Sequence, residues 1–160
     1  MVENTLKPLL VVEDNAGLQK QLKWSFDGYQ VYIAGDRVTA IALLKKHHMP
    51  VVTLDLGLPP DPANAGEGLA TLTEILQFAP HTKVIVVTGN DDHKNALKAI
   101  SLGAYDFYQK PVELDVLSLI VDRAYQLYEL EEENRRLMLA DSDSPLEGIV
   151  GASTEMLNAC

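Results

Sequence analysis

Apolar residues fall in short runs closed by turn chemistry: Leu9 to Val12, Val31 to Ala34, Val51 to Leu54 and Val84 to Val87. Runs of this length and flanking read as strands. Three of the four are continuously apolar rather than alternating, the pattern of parallel strands covered on both faces. Between them the apolar spacing becomes helical: Leu18, Leu22 and Phe26; Val38, Ile41 and Leu44; Leu69, Leu72 and Ile75 or Leu76; Ala96, Leu97 and Ile100. A fifth strand at about residues 104–108 and a final helix from about Val112 complete the alternation. This order predicts an α/β fold with a doubly wound five-stranded parallel sheet. Ligands in such sheets bind beyond the carboxyl ends of the strands, so chemistry is sought there.

The final helix is extended, running from Leu114 through about Met138 with no Gly or Pro to stop it, and is expected to project from the domain. Leu127, Leu130, Asn134 and Leu137 follow a three-four spacing, with Glu131/Arg135 and Glu132/Arg136 placed for pairing one turn apart. Two readings stand side by side: a short parallel coiled coil that makes a homodimer, and an amphipathic helix packing on its own domain. Asp141-Ser142-Asp143-Ser144-Pro145 is a break of linker type, and the remainder to Cys160 is too short to fold alone. The expected organisation is a first domain over 1–126, a linker helix over 127–140, and a linker with the start of a further module over 141–160.

Composition narrows the function classes. A net charge of −10 and a pI near 4.7 oppose direct binding of a phosphate backbone. The single cysteine, Cys160, excludes a disulfide framework or a cysteine zinc site within one chain. The amino-terminal residues lack an export signal and no run approaches a membrane span, which predicts a cytoplasmic protein without membrane association.

Read at the strand ends, the first strand leads to Glu13-Asp14, the third to Asp55, the fourth to Thr88-Gly89 and the fifth to Lys110-Pro111. Carboxylates brought together repel and raise one another's pKa unless a cation neutralises them. Hard oxygen ligands point to Mg²⁺, which keeps waters and phosphate oxygens beside a few carboxylates. Asp14, Asp55 and the Gly57 carbonyl supply such ligands. Lys110 offers a point charge to a phosphoryl oxygen and Thr88 a hydroxyl donor. Asp55, on the central strand, is then the candidate nucleophile for an in-line phosphoryl transfer, and Gly89 leaves the donor's approach open. Each feature alone is commonplace: acidic pairs cap helices, and Thr-Gly and Lys-Pro are ordinary turns. The signal is their conjunction, in order, on successive strand ends.

The segments LLVVEDN, VVTLDLGLP, VIVVTG and GAYDFYQKP resemble the receiver domains of two-component response regulators over about residues 8–127, a CheY-like, flavodoxin-like fold. The resemblance implies that Asp55 takes a phosphoryl group from a phosphohistidine on a sensor histidine kinase. It implies Mg²⁺ held by Glu13, Asp14, Asp55 and the Gly57 carbonyl, with Glu13 acting through a water. It further implies Thr88 and Phe107 as switch residues, a cis Lys110-Pro111 bond, and a readout face of the fourth helix, fifth strand and fifth helix. EGIVGAST at 147–154 is similar to the opening of the AAA+ ATPase module in NtrC-type activators of sigma-54 RNA polymerase. With no Walker A loop or helix-turn-helix in this sequence, contact with the polymerase and DNA is expected only through downstream domains. Receiver and linker helix together also look like the PEP-CTERM-box response regulators, implying control of exopolysaccharide or protein-sorting genes.

One departure is the long, proline-rich stretch over 58–68 between Asp55 and the third helix, read chiefly as a surface insertion. Simple readings cover other conspicuous residues: His47 and His48 as solvated groups at a helix C-terminus, Trp24 as helix packing or partial surface, and 90–92 as the cap of the fourth helix. Two rivals remain. A phosphohydrolase of the haloacid dehalogenase type wants a general-acid Asp two residues after the nucleophile, where this chain has Gly57. A receiver-shaped module that is never phosphorylated would have lost a member of the quintet, and none is lost. The expectation is a signalling domain rather than a turnover enzyme.

Overall fold

The computed structural model describes residues 6–58, 66–89 and 93–142. Strands β1 (Lys7–Val12), β2 (Tyr29–Ala34), β3 (Val51–Asp55), β4 (Lys83–Thr88) and β5 (Asp106–Gln109) alternate with helices α1 (Ala16–Lys23), α2 (Arg37–Lys46), α3 (Gly66–Phe78), α4 (His93–Ser101) and α5 (Leu114–Ser142). The strands form one parallel sheet in the order β2-β1-β3-β4-β5.

The continuous apolar runs are explained by two cores, one on each face. Leu10, Val12, Val52, Leu54, Val84 and Val86 meet α2, α3 and α4 through Ile41, Leu72, Ile75 and Ala99. Leu9, Val11, Val51 and Ile85 face the other way, onto Leu22 of α1 and Leu117, Val121 and Ala124 of α5. Alternation along each strand thus feeds apolar residues to both faces, and the doubly wound sheet expected from the sequence is the fold observed.

The details shift where a helix ends or turns. Phe26 belongs to no helix: α1 stops at Lys23, Trp24 is its cap, and Phe26 packs edge-on against Tyr29. Trp24 itself is 80% exposed, with Lys23 alongside its ring, so it is surface rather than packing. Val38 (74% exposed) and Leu97 (65%) lie off the buried faces of their helices, which are carried by Ala40, Ile41 and Leu44 in α2 and by Ala96 and Ala99 in α4. Strand β5 begins at Asp106 because the preceding residues finish α4. Gly103, at φ +114°, and Ala104 return their amides to Ile100 and Ala99. Helix α5 starts at Leu114, after the cis Lys110-Pro111 bond that the resemblance implied.

The chain divides into two compact units, Met1–Tyr128 and Glu129–Cys160. In the second, Arg135 pairs with Glu132 at 2.6 Å, an i,i+3 pair on the helix surface. No described helix is long and apolar enough to cross a membrane. The segments 59–65, 90–92 and 147–154, on which the insertion, the fourth-helix cap and the ATPase resemblance rested, lie outside the described residues.

Candidate functional site

Strand order reverses between β1 and β3, which is where such sheets open a crevice at their carboxyl ends. Glu13 and Asp14 leave β1 at this point, and Asp55 is the last residue of β3. A carboxylate oxygen from each of Glu13, Asp14 and Asp55 lies within 4.8 Å of the others. Glu13 and Asp55 are buried and Asp14 is exposed.

Local structure holds this loop in place. The Glu13 amide donates to Ala34 of β2, extending the ladder one residue past β1. Asn15 serves twice: its side-chain oxygen caps α1 by accepting from the Leu18 amide at 2.9 Å, and its own amide donates to Glu13 Oε2 at 3.1 Å. The Gln19 side chain reaches back six residues to donate to the Glu13 carbonyl. Sequence reasoning missed Gln19, since a half-buried glutamine on a helix turn carries no distinguishing signal.

Both oxygens of Asp55 are engaged. The Gly57 amide donates to Oδ1 at 3.0 Å and the Lys110 ammonium to Oδ2 at 3.2 Å, while Lys110 lies 4.0 Å from Glu13 Oε1. Lys110 is positioned from the other side of the sheet, its amide donating to the Thr88 carbonyl at 2.9 Å. Thr88 ends β4, next to Val87, the residue that pairs with Asp55 in register. Its hydroxyl is fully buried, and among the described residues it is the one buried side-chain polar atom without a hydrogen-bond partner. A Cβ on Gly89, which follows Thr88, would meet nothing within 4 Å among the described residues. Phe107 is half-buried and rests against the core shared by α2, α3 and α4. The structure thus gathers Glu13, Asp14, Asp55, Gly57, Thr88 and Lys110 at one edge, with Phe107 one strand away.

One ammonium does not balance the carboxylates. Burial, and next the charge of Asp55, push the Glu13 carboxyl from 4.5 up to about 7, against the opposing pull of the Asn15 amide and Lys110. An excess of buried negative charge on hard oxygen donors, beside an unsatisfied hydroxyl, fits a divalent cation with an oxyanion bound next to it.

The start of α3 is packed against the end of β3. A Cβ on Gly68 would lie 2.3 Å from the Leu56 carbonyl oxygen, so only glycine lets α3 start this close to the end of β3. Glu67, beside it, accepts from Arg37 Nε at 2.7 Å, and Glu74 accepts from Nη1 at 3.0 Å, which ties α2 to α3. Glu67 therefore faces Arg37. His47 and His48 are not simply solvated: His47 stacks on Tyr32 at 4.4 Å and His48 Nε2 lies 2.7 Å from the Tyr128 hydroxyl.

A family model described as the response regulator receiver domain matches residues 9–122. The regulatory protein AtoC of Escherichia coli K12 is 32% identical over 155 residues, 95% of this chain and 32% of its own length. The crystal structure of NtrX from Brucella abortus in complex with ADP is similar at a TM-score of 0.75 and 30% identity, covering 83% of this chain and 30% of that one. A CheY-like receiver domain protein from Methanospirillum hungatei JF-1 is similar at 0.72 and 26%, covering 79% of this chain and 99% of that one. The chain spans 32% of the length of AtoC.

Proposed function

Because the chain belongs to the response regulator receiver domain family, we propose that Asp55 is its phosphoryl acceptor, charged by a phosphohistidine on a sensor histidine kinase. The observation that carries this reading is the buried Asp55 carboxylate, held by Gly57 and Lys110 beside the unpartnered Thr88 hydroxyl. One Asp55 oxygen bonds to phosphorus as the phosphorus-nitrogen bond of the donor breaks, and the imidazole nitrogen leaves with the bonding pair. Lys110 then moves its hydrogen bond from the carboxylate to a phosphoryl oxygen. Thr88 donates to another, satisfying a hydroxyl that otherwise costs its full desolvation. Glu13, Asp14, Asp55 and the Gly57 carbonyl are the residues that would hold Mg²⁺, which neutralises charge on the transferring group when bound.

The domain is a switch in this reading, not a turnover enzyme. Gly57 stands where an aspartyl phosphohydrolase needs a general acid, so hydrolysis of the acyl phosphate is slow. Movement of Thr88 toward the phosphoryl group frees space that Phe107 fills by turning inward, and the change is read on α4, β5 and α5. Output runs through sequence beyond Cys160, to sigma-54 RNA polymerase and DNA, and the protein works in the cytoplasm. Leu130 and Leu137, 65% and 59% exposed, flank Asn134 on one stripe of the second unit and form the homodimer seam. Truncation before Leu127 is expected to weaken self-association in sedimentation; an unchanged monomer-dimer balance would contradict the seam.

Acetyl phosphate with Mg²⁺ tests the central reading. Intact mass is expected to rise by one phosphoryl group in the wild type and not in Asp55→Ala. Equal modification of the variant would overturn the assignment.

A further inference from the structure

The loop that carries Lys110 is closed by a side chain with no part in the chemistry proposed above. Lys110, Pro111 and Val112 connect β5 to α5, and this connection is held at two points. At its start the Lys110 amide donates to the Thr88 carbonyl at 2.9 Å. At its end the Glu113 amide donates to the Tyr108 hydroxyl at 2.7 Å.

Glu113 is the N-cap of α5, since its carbonyl accepts from the Val116 and Leu117 amides at 3.1 and 3.0 Å. In a capping box the N-cap amide is satisfied by a Glu or Gln at the third helical position. That position here is Val116, which has no acceptor. Tyr108 takes over the task from β5. Its ring packs against the core between the sheet and α5, as Val112 and Leu114 also do, so the hydroxyl is delivered from a fixed base. Its other oxygen neighbours are the carbonyls of Pro111 and Glu113, both at 3.5 Å.

Residue alternation gives β5 a division of labour. Phe107 rests on one core and Tyr108 on the other, while Lys110, just past the strand, reaches Asp55. We infer that Tyr108 is a positioning residue for the phosphoryl site: its hydroxyl ties the β5-α5 turn shut and so fixes the backbone from which Lys110 addresses the phosphoryl oxygen. This rests on the reading of Lys110 given above. An ammonium on a four-carbon stem loses reach and orientation when its backbone is free to shift, and electrostatic stabilisation depends on such preorganisation.

Tyr108→Phe keeps the ring and removes the bond. The test compares rates of phosphorylation of the 160-residue chain by acetyl phosphate and Mg²⁺, followed by intact mass. Four forms are needed: wild type, Tyr108→Phe, Lys110→Gln and the double variant. Tyr108→Phe is expected to slow the wild-type rate roughly three- to tenfold, the effect of one hydrogen bond. It is expected to have no effect once Lys110 is Gln, because a residue that acts through Lys110 has nothing left to position. An unchanged rate in Tyr108→Phe would overturn the inference, as would equal slowing in both backgrounds, which would mark a merely structural role. Lys110→Gln alone leaving the rate intact would remove the role of Lys110 itself, a failure distinguishable because it does not involve Tyr108.

Discussion

The two ends of the sheet are built on opposite principles. At the amino end the polar and aromatic groups compensate one another. The Lys7 ammonium lies 5.0 Å from the Tyr125 ring and 5.9 Å from that of Tyr29. The Tyr29 hydroxyl donates to Asp122 at 2.8 Å, its ring meets Tyr125 edge-on at 5.7 Å, and Tyr128 reaches His48 at 2.7 Å. At the carboxyl end, like charges are crowded, the Glu13 carboxyl is pushed up to about 7, and the Thr88 hydroxyl has no partner among the described residues. The first arrangement favours the folded state; the second leaves charge and a hydroxyl uncompensated, as the proposed phosphoryl site requires. Local rules are broken where function lies and kept where stability does.

The contrast can be broken or sharpened by substitution. Gly68→Ala removes the close approach of α3 to the exit of β3 and is expected to cost about 3 kcal/mol in urea unfolding, because the clash is with backbone. Thr88→Val is expected to slow phosphorylation roughly ten- to hundredfold by removing one charge-stabilising donor. The same variant should leave stability unchanged or raise it by up to about 1 kcal/mol, since no bond is lost and an unsatisfied group is removed. Tyr29→Phe should do the reverse, costing about 1–2 kcal/mol through its bond to a carboxylate while phosphorylation proceeds at the wild-type rate.

Glu13 gives the contrast a pH signature. Its folded, metal-free carboxyl titrates near 7 against 4.5 when free. Between those values the folded protein holds the proton that the unfolded chain has lost. The stabilisation from Glu13 is therefore full below 4.5 and is lost as pH rises through about 7. Without metal, the wild type should lose stability relative to Glu13→Gln across that window; the opposite slope would refute the burial argument. The smallest effect belongs to Tyr128→Phe, about 0.5–1 kcal/mol in stability with phosphorylation unaltered.

Much of the carboxyl end was legible in the sequence, because parallel topology brings strand ends together whatever the sequence distance between them. Glu13, Asp55 and Thr88 each follow an apolar run and Lys110 follows the fifth strand, so finding the strands was enough to bring them to one edge. The amino end was not legible. His48 and Tyr128 meet across 80 residues, and neither follows a strand or belongs to a recognisable pattern. Apolar spacing found Ile41, Leu44 and Ala96, which are buried, but Val38 and Leu97 fit the same period and are exposed, a distinction that only packing against the sheet makes. Tyr108 is hidden for another reason. On β5 it reads as a core aromatic, and its hydroxyl acquires a role only once the start of α5 is placed beside it.

The most direct test of the account locates the phosphoryl group. Borohydride reduces an acyl phosphate on aspartate to homoserine, and peptide mass mapping after treatment with acetyl phosphate and Mg²⁺ shows which residue carried it. The account predicts conversion at Asp55 in the wild type, with Glu13 and Asp14 unmodified. Homoserine at either of those positions, or none at Asp55, would contradict it.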